Sequence, residues 1–147
     1  MGDKMTNDIE TEVKRSPLTV IVAERYPIAR AALAALLSYD GYRVFQADSV
    51  KAAISQITSV DNLAVLLADL DMPGWRSIVR HAVQTTDALV IGLEGNHPFS
   101  EMYDLKEYGI QMCLQKPLIY DEVRTAITEN KHTSESVVHE ACRVRAA

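Results

Sequence analysis

Short apolar runs alternate with segments of helical periodicity along most of the chain. Five runs rich in Val, Ile, Leu and Ala have the length and composition of strands that are buried on both faces. These runs lie at Leu18–Ala23, Tyr42–Ala47, Leu63–Ala68, Ala88–Leu93 and Met112–Leu114. The third run is apolar throughout, and this predicts a central strand.

The segments between and after these runs predict five helices. Pro27 suits the first turn of a helix, where a missing N–H costs nothing, and Asp40-Gly41 ends that helix. Ser49 is a candidate N-cap residue for the second helix, which runs through Ile57. The remaining helices are expected over Trp75–Thr85, Pro98–Tyr108 and Asp121–Glu129.

This alternation predicts an α/β sandwich of three layers. Buried strands that alternate with helices imply a parallel sheet covered on both faces. Right-handed crossovers leave few topologies, and we expect the flavodoxin-like strand order 2-1-3-4-5. Ligands of such sheets bind at the carboxyl ends of the strands. The polar residues at those ends are Glu24, Arg25, Asp69, Glu94, Gln115 and Lys116.

The predicted domain spans residues 17–130. Residues 1–16 have little apolar content and are expected to form a flexible leader. Residues 131–147 are too few for another domain and are expected to form a C-terminal tail. The spacing of its apolar residues favours a short helix there; these are Val137, Val138, Ala141 and Val144.

Composition narrows the class of protein. The chain has 147 residues, 48% of them hydrophobic, and a formal charge of -5 at pH 7. This is a soluble globular balance, and its acidity argues against a dedicated nucleic-acid surface. No apolar run reaches the roughly 18 residues of a membrane span, and no secretory signal is visible. Cys113 and Cys142 are not expected to form a disulfide, which favours a cytoplasmic location.

Four short motifs stand where the predicted strands end. They are Glu24-Arg25, Asp69-Leu70-Asp71-Met72-Pro73-Gly74, Glu94 and Gln115-Lys116-Pro117. The second resembles the phosphoacceptor loop of response-regulator receiver domains of two-component signalling, and the last resembles their Lys-Pro signature. Glu24-Arg25 stands in place of the family's acidic pair, and Glu94 in place of its switch hydroxyl. The resemblance covers residues 18–129.

The resemblance implies a chemistry. Asp69 would accept a phosphoryl group from a kinase histidine, and Lys116 would contact a phosphoryl oxygen. Mg²⁺ would offset the phosphoryl charge, held by Glu24, Asp69 and the backbone carbonyl of Asp71. The implied partners are a histidine kinase, a downstream signalling protein or a second copy of the chain. The implied partner face lies on the fourth helix, fifth strand and fifth helix and contains Tyr103, Lys106, Tyr108, Leu118 and Tyr120.

Three positions depart from the family pattern. Arg25 replaces an acid that normally ligates the metal, which makes Mg²⁺ binding doubtful. Glu94 would place a carboxylate about 4 Å from the phosphoryl group, at a cost on the order of 4 kcal/mol for an effective dielectric near 20. Cys113 replaces the switch aromatic. We expect Arg25 and Lys116 to form ion pairs with Asp69 and Glu94 that make a metal unnecessary.

These departures favour an atypical, stand-alone receiver-like module that signals through protein–protein contact, with little or no phosphorylation of Asp69. The alternative is an orthodox response regulator that a histidine kinase phosphorylates on Asp69. An enzyme is disfavoured, because the sequence shows neither a Gly-rich phosphate loop nor a nucleophile elbow. A DNA-binding regulator is disfavoured because no output domain fits after Asn130.

Overall fold

The computed structural model describes residues 17–96 and 99–132. The predicted leader and residues 133–147 of the predicted tail therefore lie outside the described residues, as does Pro98. The strands are β1 (Thr19–Ala23), β2 (Arg43–Ala47), β3 (Leu63–Asp69), β4 (Leu89–Glu94) and β5 (Met112–Gln115). The helices are α1 (Pro27–Tyr39), α2 (Val50–Ser59), α3 (Trp75–Thr85), α4 (Phe99–Met102) and α5 (Tyr120–His132), with a 3-10 turn at Leu105–Tyr108 between α4 and β5.

The five strands form one parallel sheet in the order β2-β1-β3-β4-β5, which confirms the predicted topology. The register places Ala23 of β1 opposite Ala68 of β3, so the next residues, Glu24 and Asp69, emerge at one edge of the sheet. Glu94 of β4 lies opposite Gln115 of β5 at the same edge. The sheet therefore gathers the polar strand ends in one place.

Two apolar layers cover the faces of the sheet. Leu66 belongs to the layer beneath α2 and α3, and its neighbour Leu67 belongs to the layer beneath α1 and α5. Successive side chains of a strand point to opposite faces, so β3 contributes to both layers. Full burial of such a side chain contributes about 1.5–3 kcal/mol. Of the helices described, none has the length and apolar character that a membrane span requires.

The predicted helix Pro98–Tyr108 is divided in the structure. A single α-helical turn is followed by the 3-10 turn, and Asp104 lies before the latter. The Asp104 carboxylate accepts a hydrogen bond from the amide of Lys106 at 3.2 Å. Such local side-chain bonds compete with the continuation of a helix. The apolar pattern missed the break because Leu105 remains buried and keeps the helical spacing.

Gly41 and Gly109 have the same left-handed backbone conformation, so alanine substitutions at the two positions distinguish backbone strain from steric overlap. Gly41 and Gly109 have φ of +99° and +96°, but a Cβ would meet nothing within 4 Å at Gly41, and Val83 Cγ2 at 2.4 Å at Gly109. We expect Gly41→Ala to lower the free energy of unfolding by about 1 kcal/mol and Gly109→Ala by about 3 kcal/mol. Urea unfolding measures both, and equal losses would contradict the close approach at Val83.

Candidate functional site

One ammonium group lies among three carboxylates at the carboxyl edge of the sheet. Lys116 Nζ is 2.8 Å from Asp69 Oδ1, 3.0 Å from Glu24 Oε1 and 3.7 Å from Asp71 Oδ2. Glu24 follows β1, Asp69 ends β3 and Lys116 follows β5. The structure thus brings together four of the residues that the sequence placed in the pocket.

The Asp69 side chain is 0% exposed, and both of its carboxylate oxygens are hydrogen-bonded. Oδ1 accepts from Lys116 Nζ at 2.8 Å and from the amide of Asp71 at 2.9 Å. Oδ2 accepts from the amide of Arg25 at 3.2 Å. Burial acts to raise the pKa of Asp69, but the ammonium and the amides outweigh burial and hold this pKa below its ordinary value.

Glu24 and Lys116 form the second ion pair of the pocket. Glu24 is 2% exposed and also accepts a hydrogen bond from the amide of Tyr26 at 3.2 Å. Burial raises the pKa of Glu24 above its ordinary value, and the nearby Asp69 carboxylate adds to this rise. Burial acts to lower the pKa of Lys116, but its bonds to Asp69 and Glu24 outweigh burial and raise it. Lys116 therefore stays charged.

Arg25 does not form the predicted ion pair with Asp69 or Glu94. Its guanidinium lies 4.8 Å from the centre of the Tyr26 ring, and Nη2 donates to the Tyr26 hydroxyl at 2.8 Å. Within the described ranges, no ion pair includes Arg25. Arg25 lies in a bend beyond the end of β1, where its amide reaches Asp69 Oδ2 and its side chain lies against Tyr26.

Tyr26 lies over this side of the pocket. Its ring faces two cations, with Arg25 Cζ at 4.8 Å and Lys116 Nζ at 5.3 Å from the ring centre. Cations on an aromatic face are attracted by the ring quadrupole. Tyr26 is 44% exposed, so it lies between the pocket and solvent.

Glu94 has neutral donors instead of the predicted cation. Its Oε1 accepts from the Ser100 hydroxyl at 2.6 Å and from Gln115 Nε2 at 3.2 Å, and its Oε2 accepts from the Ser100 amide at 3.0 Å. No ion pair among the described residues includes Glu94, which is 2% exposed. Sequence reasoning missed Ser100, whose position near the start of a predicted helix was the available signal.

Asp71 contributes its carboxylate as well as the backbone carbonyl that the resemblance assigned to it. The amide of Asn96 donates to both carboxylate oxygens, at 3.2 and 3.3 Å. A Cβ at Gly95 would lie 2.6 Å from Asp71 Oδ2 and 3.2 Å from Lys116 Cδ, so only glycine leaves room for this arrangement. Sequence reasoning missed Gly95 and Asn96, because neither carries charge.

The predicted partner face is divided between the two sides of the sheet. Tyr108 packs against the layer that contains Cys113, which is buried. Leu118 and Tyr120 pack against the other layer. The Tyr120 hydroxyl donates to Asp40 Oδ2 at 2.7 Å, and burial and this bond raise its pKa. These residues therefore lie on both sides of the edge strand β5, and their role as a partner face stays a prediction. Lys106 and Tyr103, which is 41% exposed, lie on the Tyr108 side near α4.

The donor set does not fit the Mg²⁺ that the resemblance implies. Arg25 stands where a second carboxylate would ligate the ion, and the carboxylates of Glu24 and Asp69 are both bonded to Lys116. In the part of the chain that the structure describes, no three acidic, His or Cys side chains are grouped to hold a metal ion. The interactions that define the site are therefore those among its own side chains.

Comparison with solved structures identifies the fold. The chain is similar to a response regulator receiver domain protein from Clostridium thermocellum, with a TM-score of 0.71 and 21% identity over 80% of this chain and 97% of that one. The chain has the fold of a receiver domain. It is also similar to the receiver domain of Ssk1 from Saccharomyces cerevisiae in its complex with the histidine phosphotransfer protein Ypd1, with a TM-score of 0.67 and 16% identity over 81% and 92% of the two chains.

Sequence comparison indicates the same class of domain. The chain is 28% identical over 114 residues to the sensor histidine kinase RcsC of Escherichia coli, and 26% identical over 115 residues to the sensor protein EvgS of that species. Each match covers 76% of this chain but only 12% and 10% of the two sensor proteins. The receiver domain thus spans about a tenth of these relatives. No family model matches it.

Removal of the shared ammonium tests the electrostatics of the pocket. Lys116→Met leaves buried carboxylates without their cation, and we expect it to lower the free energy of unfolding by about 3 kcal/mol at neutral pH. Lys106→Met, at an exposed position, is the matched control. The depressed pKa of Asp69 stabilises the fold above the ordinary carboxyl value, and this contribution is lost as pH falls through the folded-state pKa. The difference between wild type and Lys116→Met should therefore shrink in acid, and a constant difference would contradict the assignment.

Proposed function

We propose that this receiver domain is an atypical signalling module that works through contact with another protein, while Asp69 stays closed to phosphoryl transfer in the resting state. The observation that carries the proposal is the enclosure of Asp69. Its side chain is 0% exposed, and both of its oxygens already accept hydrogen bonds.

Phosphoryl transfer requires an oxygen of the acceptor in line with the donor phosphorus. An incoming phosphohistidine would have to displace Tyr26 and at least one bond to Asp69. Loss of one partner of a buried ion pair costs about 3–5 kcal/mol. In the family, the residues at these positions would offset this cost by ligating a metal ion and by contacting the phosphoryl group. Here Arg25 and Glu94 replace them. Transfer to Asp69 is therefore slow.

The contact surface that we propose is the outer face of α1. Ile28 is 86% exposed, Leu36 45% and Tyr39 90%, and Ile119, in the segment between β5 and α5, is 52% exposed. A groove of about 250 Å³ lies between α1 and Leu118. The described part of α1 carries a single charged side chain, that of Arg30. The kinases and the phosphotransfer complex among its relatives support a histidine kinase or phosphotransfer protein as the partner, docked through an apolar helix.

An orthodox response regulator is the second candidate. The observation in its favour is the excess of negative charge, because three carboxylates share the ammonium of Lys116 and the Arg25 guanidinium lies outside the pocket. A divalent cation is attracted to such a site. In this case Glu24 would carry more of the metal binding than its counterpart in the family.

Intact-mass spectrometry distinguishes the atypical signalling module from the orthodox response regulator. The purified protein is incubated with Mg²⁺ and acetyl phosphate, with Asp69→Asn treated in parallel as the control. We expect no phosphoryl mass on the wild type, because Asp69 is enclosed and lacks a competent metal site. A phosphoryl mass that appears on the wild type and is absent from Asp69→Asn would show that the protein is an orthodox response regulator phosphorylated on Asp69.

Reversal of the charge at position 25 should create a metal site. The amide of residue 25 lies 3.2 Å from Asp69 Oδ2, so Arg25→Asp brings a short carboxylate near Asp69, and we expect Mg²⁺ affinity to rise about tenfold or more. Arg43→Asp makes the same charge change at the opposite edge of the sheet and should leave affinity unchanged. Calorimetric titration measures all three proteins. Sub-millimolar binding by the wild type that disappears in Asp69→Asn would contradict the expectation.

Partner binding should depend on α1 and not on Asp69. A partner is sought by titrating histidine kinase and phosphotransfer domains of the source organism against the labelled full chain. We expect Asp69→Asn to bind as wild type does, and Ile28→Glu to lose about tenfold or more in affinity through loss of an apolar contact. Val83→Glu changes an exposed apolar residue on α3 and is the control. Equal binding by Ile28→Glu and wild type would exclude the α1 face.

A further inference from the structure

Arg76 lies among three aromatic rings on the side of the sheet away from α1. Its guanidinium carbon is 4.7 Å from the ring centre of Trp75, 5.3 Å from that of Tyr103 and 5.6 Å from that of Tyr108. One cation thus contacts α3, the segment after α4 and the 3-10 turn. None of these contacts belongs to the pocket around Asp69.

The rings also contact one another. Trp75 meets Phe99 and Tyr108 edge to face, with centroids 5.8 and 5.5 Å apart, and Phe99 stacks on Tyr103 at 6.1 Å. Trp75 is 2% exposed, whereas Tyr103 is 41% exposed. The cluster therefore runs from the core to the surface, and Arg76 contacts it at both ends.

The buried end of the cluster is joined to the loop that begins at Asp69. The amide of Met72 donates to the carbonyl of Asp69 at 3.2 Å, and the amide of Trp75 donates to the carbonyl of Met72 at 3.1 Å. Two successive turns of backbone thus connect Asp69 to Trp75. A shift of this loop displaces the Trp75 ring, since the ring is packed on all sides.

Leu105 and Tyr108 pack the segment at the exposed end against the core, whereas Tyr103 is 41% exposed. α4 is one turn long, and the Ser100 bonds to Glu94 hold its first residues. β5 carries Cys113 and no ring that could fill or leave a pocket beneath this segment. The contacts of Arg76 with Tyr103 and Tyr108 therefore add a link between the exposed Tyr103 ring and the part of this segment that packs on the core.

We propose that Arg76 is a positioning residue for the surface formed by Tyr103 and Tyr108, and that it couples this surface to the loop after Asp69. A planar guanidinium can stack on several rings at once, which a lysine ammonium does less well. The coupling does not depend on phosphorylation of Asp69 or on docking at α1. Its failure is thus distinguishable from failure of the proposed function.

The test uses Trp75, the single tryptophan of the chain. Arg76→Gln should increase acrylamide quenching of Trp75 and speed amide hydrogen exchange of residues 103–108 about tenfold, because ring contacts that restrain local opening are lost. Arg76→Lys should give intermediate values. Arg80→Gln removes an exposed arginine from the same helix and should behave as wild type. Unchanged hydrogen exchange of the β3 amides shows that the fold of each variant is intact. If Arg76→Gln does not fold, Arg76→Lys replaces it as the test variant. Hydrogen exchange of residues 103–108 equal to that of the wild type in either variant overturns the positioning role.

A double-mutant cycle tests the coupling. Asp69→Asn weakens the bond to the Asp71 amide and should speed exchange of residues 105–108 in the wild-type background. In the Arg76→Gln background the same change should have a smaller effect, because only the direct contact between the Trp75 and Tyr108 rings remains. Additive effects of the two substitutions, or no effect of Asp69→Asn in the wild type, would overturn the coupling.

Discussion

The ion pair between Lys116 and Asp69 is the interaction on which the site depends. It joins the end of β5 to the end of β3 across the intervening β4, and the same ammonium reaches Glu24 after β1. A parallel sheet brings these strand ends together, but their carboxylates would repel one another without a cation. The pair stabilises the fold between an acidic and a basic limit of pH. Its contribution is lost in acid as Asp69 protonates and in strong base as Lys116 loses its proton.

Much of the fold followed from two periodicities. Apolar strands alternating with helices predicted the parallel sheet and its order, and the ends of the strands predicted which residues meet. The break of the helix before Gly109 was not predictable, because an aspartate–amide bond at Asp104 decided it and the apolar spacing did not. The α5 helix also extends to His132, a few residues beyond its expected end at Glu129.

The partners of individual side chains were harder to predict than their positions. Charge alone suggested that Arg25 would pair with a carboxylate, but its guanidinium donates to the Tyr26 hydroxyl instead. Glu94 was expected to need a cation, yet the hydroxyl and amide of Ser100 and the amide of Gln115 satisfy it. Both outcomes depend on the direction of a side chain, which a strand-end position in sequence does not specify.

The receiver fold places Asp69 in a buried, ion-paired site. In the function that we propose, binding surfaces and not phosphoryl chemistry transmit the signal. Those surfaces lie on opposite sides of the sheet, at α1 and at the ring cluster around Arg76. The two sides share the Asp69–Lys116 pair, since the loop after Asp69 leads to Trp75 and Lys116 lines the groove beside α1.

The most direct test of the closed site is a carbon-13 NMR titration of the Asp69 carboxyl carbon, with and without Mg²⁺ at millimolar concentration. The account predicts a pKa below the ordinary aspartate value in metal-free buffer, and a carboxyl resonance that Mg²⁺ leaves in place. An ordinary or raised pKa, or a resonance that shifts with sub-millimolar Mg²⁺, would show that Lys116 does not close the site and would contradict the account.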